Sequence, residues 1–199
     1  MRKGSAVLTL CLLLFLPPTV SSSGGGPLET VTEHVNSALD ILRDPSLKGE
    51  AKKKVKKEKI RALSETMFDF TELSKRTLSQ NWGKMTPAQQ KEFIDLYKSI
   101  LEDAYMDKIV SYTDEKVIFD REVQLSEKAV EVQTITMTRT VEIPINYRVI
   151  QKEGQWRVYD VVIEGVSLIN NYRSQFREIL TNKTINDLLD ILRKKVGKR

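Results

Sequence analysis

The spacing of the apolar residues changes near Lys116, and this change constrains the fold more than any other feature of the chain. Before this point apolar residues recur at helical spacing, as in the segment that Thr86-Pro87 opens. After it they alternate with polar residues, which is the two-residue period of strands. Short connections between such strands make neighbouring pairs antiparallel. The order of helices followed by strands predicts the α+β class.

Four strands and two closing helices are predicted after the change. The strands are expected over Val117–Val123, Ala129–Arg139, Val141–Gln151 and Gln155–Ile163. In the last strand Trp156 and Val158 are expected on one face, and Tyr159, Val161 and Ile163 on the other. Because both faces are apolar, we expect this strand to be covered on both sides. A curved four-stranded meander wrapped by helices would leave an apolar cleft between sheet and helices, a usual place for a lipophilic ligand.

The N-terminus has the layout of a secretory signal peptide. A positive pair, Arg2-Lys3, precedes the apolar run Ala6–Leu16, and small residues follow. That run is shorter than the roughly 20 residues that span a bilayer, which disfavours an N-terminal anchor helix. We therefore expect residues 1–23 to be a cleaved signal and residues 24–199 to form a single exported domain.

A lysine-rich segment, Lys48–Lys59, stands out in a chain whose formal net charge is +5. Such a run is most often a solvated helix face, but it could also meet anionic headgroups or an acidic protein. Nucleic acid is not an expected partner, because export removes the usual target and no recognised binding module is present.

No motif in the chain predicts catalysis or a bound cofactor. The one cysteine, Cys11, lies in the predicted signal, and a single histidine, His34, is too little for a metal cluster. Asp160 and Glu164 are four residues apart on one predicted strand, which would place both on the same face for acid–base work. The alternative is that these acids pair with arginines, namely Arg148, Arg157 or Arg173. We therefore do not expect an enzyme, and we expect no cofactor.

Four segments resemble one known family. In Tyr159–Phe176 a β-branched strand stops at Gly165 and turns directly into a helix, and this run closely resembles the signature of the MlaC family, also called the toluene-tolerance family. Weaker resemblances lie in Phe68-Asp69-Phe70, in Leu96-Tyr97, and in Ile143–Arg148 followed by Gly154-Gln155-Trp156. The resemblance extends, at uneven strength, over nearly the whole chain after the predicted signal.

The resemblance implies a periplasmic phospholipid-binding protein. Such a protein would hold acyl chains in an apolar pocket between sheet and helices. It would shuttle lipid between an outer-membrane lipoprotein–porin complex and an inner-membrane ABC transporter with an MCE-type subunit. The family role is linked to outer-membrane lipid asymmetry and solvent tolerance, with ATP hydrolysis left to the transporter. A monomer is expected, since nothing in the sequence demands more.

The candidate pocket residues are apolar side chains on the predicted inward faces. They are Phe93, Tyr97, Leu101, Tyr105, Ile143, Ile145, Tyr147, Val161, Ile163, Leu168, Ile169 and Tyr172. Each could equally be ordinary core, because periodicity gives the inward face and not a cavity. Arg148 and Arg173 are candidate headgroup or mouth contacts, since a guanidinium suits phosphate. Their alternative is an internal ion pair with Asp160 or Glu164.

Two other classes of function stay open on the sequence. The first is an exported protein-interaction module that carries no lipid. The second is a small-molecule enzyme of the ketosteroid-isomerase type, which would need a deep pocket with a buried carboxylate or a Tyr–Asp pair.

Overall fold

The computed structural model describes residues 25–112 and 115–197, so the predicted signal peptide lies outside the described residues. The helices are α1 Pro27–Arg43, α2 Lys53–Met67, α3 Phe70–Leu78, α4 Pro87–Ser111, α5 Leu168–Asn182 and α6 Ile185–Val196. The strands are β1 Lys116–Ser126, β2 Ala129–Met137, β3 Glu142–Lys152, β4 Gln155–Ile163 and β5 Val166–Ser167. Among the described helices, none has both the length and the apolar character needed to cross a membrane.

The strands form one antiparallel sheet in the order β1-β2-β3-β4-β5, which confirms the α+β class and the predicted meander. β5 was not predicted, because two residues are too short to show a period. It pairs Ser167 with Val162 and leads without a gap into α5. The predicted four-stranded sheet therefore has a short fifth strand.

The longest helix begins where the sequence predicts. The Thr86 side chain accepts a hydrogen bond from the Gln89 N–H, and the Gln89 side chain accepts one from the Thr86 N–H. Pro87 occupies the first turn, where backbone N–H groups make no hydrogen bond within the helix, so the lack of an N–H in proline costs nothing there. This reciprocal capping fixes the start of α4.

A bulge at Tyr159 changes which face of β4 each side chain occupies. Arg148 of β3 pairs with Asp160, whereas the next residue, Val149, pairs with Val158. Tyr159 is therefore an extra residue, and one extra residue moves every following side chain to the other face. The predicted division of β4 is wrong for this reason. The side chains on one common face are Trp156, Val158, Val161 and Ile163. Residues 158–162 are all buried, which confirms that β4 is covered on both sides.

Two apolar clusters lie against the two faces of this sheet. The sheet cluster joins one sheet face to α1; its buried members are Val31, Val35, Met67, Val130, Val132, Val149, Val158 and Val161. The helical cluster packs α3, α4, α5 and α6 together and reaches the sheet at Ala129 and Tyr159. A smaller cluster of Leu42, Ile60 and Met106 ties α1, α2 and α4 to one another.

The turn after β4 needs a glycine at position 165, where φ is +81°. A methyl group there would meet no atom within 4 Å, so the penalty of Gly165→Ala is conformational. We expect this variant to lower the free energy of unfolding by about 1 kcal/mol in urea denaturation. Gly83→Ala is the matched control, because it also has free space and lacks a positive φ. An equal loss in both variants would show that the turn does not require glycine.

Candidate functional site

The predicted pocket residues lie in two separate groups. Those in or against the sheet cluster are Ile145, Tyr147, Val161, Ile163 and Leu168. Those in or against the helical cluster are Phe93, Tyr97, Leu101, Tyr105, Ile169 and Tyr172. Ile143 belongs to neither group and pairs with Thr136 on β2. The structure therefore does not gather the twelve residues around one space.

The helical group is a closely packed aromatic core. Tyr97 stands at its centre, with ring centroids 5.4 Å from Phe93, 5.1 Å from Tyr172 and 5.3 Å from Phe176. Phe93 and Tyr97 expose no surface, and the contacts of Tyr97 with Tyr172 and Phe176 are edge-to-face. Burial raises the pKa of Tyr97 well above its usual range. These rings fill the space between α4 and α5, so the helical group of predicted pocket residues has the character of ordinary core.

The sheet group differs because most of its side chains keep some accessible surface. We call the region between α1 and this face of the sheet the α1–sheet interface. Its partly buried apolar residues are Leu28, Leu39, Phe68, Val117, Phe119, Ile145, Tyr147, Trp156, Ile163 and Leu168. The contributions of α1 and β1 were not among the predicted pocket residues. The helical spacing of Leu28, Val31, Val35 and Leu39 could have indicated the residues of α1, since it gives this helix one apolar face.

Tyr147 marks how dry the α1–sheet interface is. Its side chain keeps some accessible surface, yet burial, followed by the effect of the nearby Tyr112, raises the pKa of its hydroxyl to about 12. A phenol in contact with bulk water would ionise near 10. Burial of the hydroxyl is the main cause of this shift, although the side chain as a whole keeps some accessible surface.

A surface cavity of about 490 Å³ lies elsewhere, between the α2–α3 junction, α4 and the β3–β4 turn. None of the predicted pocket residues lines it. Two ion pairs lie in its walls: Lys152 is 3.2 Å from Asp69, and Lys98 pairs with Glu65. Lys98 also lies 5.6 Å from the centroid of the Phe70 ring. Four acidic and three basic side chains line the cavity, so its walls carry many charges.

Arg148 forms the internal ion pair that was the alternative to a headgroup contact. Its guanidinium lies 2.9 Å from Glu131 and 3.2 Å from Asp160. Burial alone would lower the pKa of Arg148, but the hydrogen bond to Glu131 and the two acidic charges outweigh this and raise it. The group therefore stays charged inside a polar network between β2, β3 and β4.

Asp160 connects this network to the start of α5. Its carboxylate, 1% exposed, accepts hydrogen bonds from the Ser167 hydroxyl at 2.6 Å and from the Ile169 N–H at 3.1 Å. Ser167 in turn accepts from the Asn170 N–H and caps α5. A carboxylate near a helix N-terminus is favoured by the helix dipole. Both oxygens of Asp160 are thus engaged in holding the strand-to-helix junction.

The predicted placement of Asp160 and Glu164 on one face of the same strand is wrong. β4 ends at Ile163, and Glu164 is an exposed turn residue with φ +49° whose N–H donates to the Pro144 carbonyl. Within residues 25–112 and 115–197, no group of three or more His, Cys, Asp or Glu side chains could hold a metal ion.

Arg173 also has protein partners in this structure. Its guanidinium donates to the Arg76 carbonyl at 3.1 and 2.7 Å and to the Asn170 side chain at 3.0 Å. The Arg76 carbonyl belongs to the last turn of α3, where a positive charge complements the helix dipole. Arg173 also lines a smaller cavity of about 160 Å³ beside Arg177 and Phe176.

Two curated proteins match part of the chain. The intermembrane phospholipid transport system binding protein MlaC of Haemophilus influenzae is 26% identical over 115 residues, covering 55% of this chain and 54% of that protein. The toluene tolerance protein ttg2D of Pseudomonas putida is 23% identical over 124 residues, covering 61% and 57%. The chain thus matches a little over half the length of these relatives.

A solved structure shares the fold over a greater length. It is the phospholipid-binding protein of Ralstonia solanacearum in complex with a phospholipid, with a TM-score of 0.77 and 22% sequence identity. The match covers 87% of this chain and 98% of that one. In addition, the sequence profile of the MlaC protein family matches residues 32–194, which is most of the chain. This protein therefore belongs to the MlaC family.

Proposed function

We propose that this protein is a phospholipid carrier that holds acyl chains in the α1–sheet interface. Family membership supports lipid binding as the function, and a relative of the same fold was solved with a phospholipid. The proposed location rests on the set of partly buried apolar side chains between α1 and the sheet. The helical cluster, by contrast, has its central rings in mutual contact and fully buried.

The energetics favour an apolar interface as the place for a lipid tail. Transferring each CH₂ group of an acyl chain out of water contributes about 0.8 kcal/mol. Side chains that are only partly buried in the absence of lipid gain further burial when a tail lies against them. The α1–sheet interface supplies such side chains from both of its walls, for example Leu39 on α1 and Phe119 and Tyr147 on the sheet.

Hydrogen bonds hold both ends of α1 to neighbouring elements. At its start the Leu28 N–H donates to Glu122 of β1 at 2.7 Å. At its end the Leu42 carbonyl accepts from the buried Lys56 ammonium at 3.0 Å, and Arg43 donates to the Glu115 carbonyl. Between these contacts Val31 and Val35 are buried against the sheet, so we propose that the acyl chains lie beside them, against partly buried side chains such as Leu39 and Phe119.

The headgroup would remain at the edge of the interface, because burying an unpaired phosphate is unfavourable. The guanidinium groups of Arg148 and Arg173 are engaged with Asp160 and with the Arg76 carbonyl. We therefore propose that the phosphate stays in water at the mouth, and that neither arginine leaves its protein partners to meet it.

The proposed setting is the periplasm. There the carrier would exchange lipid with an outer-membrane lipoprotein–porin complex and with an inner-membrane ABC transporter that has an MCE-type subunit, in support of lipid asymmetry. The description of the Haemophilus relative as part of an intermembrane phospholipid transport system supports this. The predicted signal peptide agrees with export.

Organic extraction and lipid mass spectrometry test the proposed function. The protein would be produced with its own N-terminus, purified from the periplasm without detergent, and then offered liposomes. We expect about one phospholipid per chain, as for a carrier with a single apolar site. The absence of phospholipid both before and after liposome exposure would reject the carrier function and favour a protein-interaction module.

A further inference from the structure

The net positive charge of the chain is concentrated on one short segment. Lys48–Lys59 contains seven lysines and two glutamates, a net charge of +5. The whole chain also has a net charge of +5, so its other 25 basic and 25 acidic residues balance. We define the lysine face as the exposed side chains Lys48, Lys52, Lys54, Val55 and Lys59, which lie before α2 and in its first two turns.

The four lysines of this face form no ion pair with any residue of the described ranges 25–112 and 115–197. Neighbouring lysines of the same segment differ: Lys53 lies 3.2 Å from Glu50, and Lys57 lies 2.7 Å from Asp107. Lys56 is buried and donates to the Leu42 carbonyl. The segment therefore divides into lysines that hold the fold together and lysines that face the solvent.

The position of these charges opposes the formation of α2. A helix N-terminus favours negative charge, yet α2 has no acidic residue in its first turn, and its N-cap, Lys52, makes no capping hydrogen bond. Helices α1, α3 and α6 each carry an acidic residue there, and α4 and α5, which do not, have an N-cap side chain that accepts a backbone N–H. A local rule broken at an exposed position, with no compensating contact, indicates a role outside folding.

We propose that the lysine face docks this protein on a bilayer surface that contains anionic phospholipids. The inference rests on the proposed carrier function, because a carrier must approach a lipid surface. Clusters of basic side chains on a helix are attracted to the negative surface of a bilayer that contains anionic lipids. Val55 is 39% exposed among the lysines, and an apolar side chain within a basic helix face is typical of helices that lie at a membrane interface.

The lysine face is rigidly connected to the proposed lipid site. Lys56 joins α2 to the C-terminal end of α1, and Ile60 packs with Leu42 of α1 and Met106 of α4. Docking through α2 therefore brings α1, which covers the α1–sheet interface, close to the bilayer. Lipid would then have a short path between the bilayer and the carrier.

Vesicle co-sedimentation at low salt tests the proposal on the full exported chain. The probe vesicles contain phosphatidylcholine alone or phosphatidylcholine with phosphatidylglycerol. The test variant replaces Lys48, Lys52, Lys54 and Lys59 with glutamine. The matched control replaces four exposed lysines outside this face, Lys75, Lys116, Lys128 and Lys183, and so removes the same charge.

Each lysine near an anionic surface strengthens binding about fivefold, so we expect the variant that lacks four of them to bind phosphatidylglycerol vesicles roughly 600-fold more weakly. The control should bind nearly as well as the unchanged protein, and salt near 0.5 M should release both, because it screens the attraction within a few ångströms. Equal weakening in both variants, or equal binding to vesicles without phosphatidylglycerol, would overturn the proposal. So would the absence of vesicle binding by the unchanged protein, which would leave an acidic protein as the occupant.

Lipid extraction from the same samples separates this inference from the carrier function. The lysine-face variant should retain its bound phospholipid, because none of the four lysines lies in the α1–sheet interface. Selective binding to phosphatidylglycerol vesicles by a protein that never contains lipid would reject the carrier function and leave the docking surface in place.

Discussion

Asp160→Ala is expected to lower the free energy of unfolding by about 3–5 kcal/mol. The Asp160 carboxylate is 1% exposed and lies between the Arg148 guanidinium, the Ser167 hydroxyl and the Ile169 N–H. Removing it leaves Arg148 with Glu131 as its ionic partner and leaves a helix N–H without an acceptor. A loss of this size is a large part of the stability of an ordinary domain, and urea denaturation followed by circular dichroism would measure it.

Asp190→Ala is the matched control for this prediction. It removes the same kind of group from an ion pair with Arg193, but both partners are exposed on α6. Exposed pairs contribute little because water and side-chain entropy offset the attraction. Similar losses in the two variants would contradict the role given to Asp160 at the strand-to-helix junction.

Ile145→Asp is expected to remove nearly all bound phospholipid while the protein stays folded. Ile145 is partly buried at the α1–sheet interface, on the same face of β3 as Tyr147. A carboxylate there can still reach water, but it makes the wall of the interface unfavourable for acyl chains. Lipid content should fall from about one phospholipid per chain to below roughly one tenth, since each CH₂ of the tail depends on a dry contact.

Val149→Asp separates pocket from core on the same strand. Val149 has no exposed surface and lies four residues beyond Ile145 on the same face of β3. A buried carboxylate at this position has no nearby water, so we expect the variant to fail to fold. If Ile145→Asp also fails to fold, position 145 is core, and the proposed wall of the pocket is wrong at this point.

The order of elements could be predicted from the sequence because each one carries a local signal. Thr86-Pro87 and Gln89 set the start of α4, and the alternation of apolar residues sets β2 and β3 within a few residues of their observed bounds. These signals depend on neighbours in the chain, which is why they can be interpreted without the fold.

The division of the candidate site could not be predicted in the same way. The bulge at Tyr159 arises from the pairing of β3 with β4, and it reverses the faces of Val161 and Ile163 relative to simple alternation. Periodicity also predicts that Tyr97 and Tyr147 both face inward. In the structure Tyr97 is enclosed by other aromatic rings, whereas Tyr147 keeps accessible surface. Which inward side chains are fully packed depends on how the layers meet.

Photo-cross-linking would show where the acyl chains of the bound lipid lie. The delipidated protein would be loaded with a phospholipid that carries a diazirine on one acyl chain, irradiated, digested and mapped by mass spectrometry. We expect adducts on residues of the α1–sheet interface, such as Leu39, Phe119, Ile145 and Tyr147. Adducts confined to the helical cluster around Phe93, Tyr97 and Tyr172 would contradict the proposed location of the lipid. So would the absence of adducts in protein whose loading with the lipid has been confirmed.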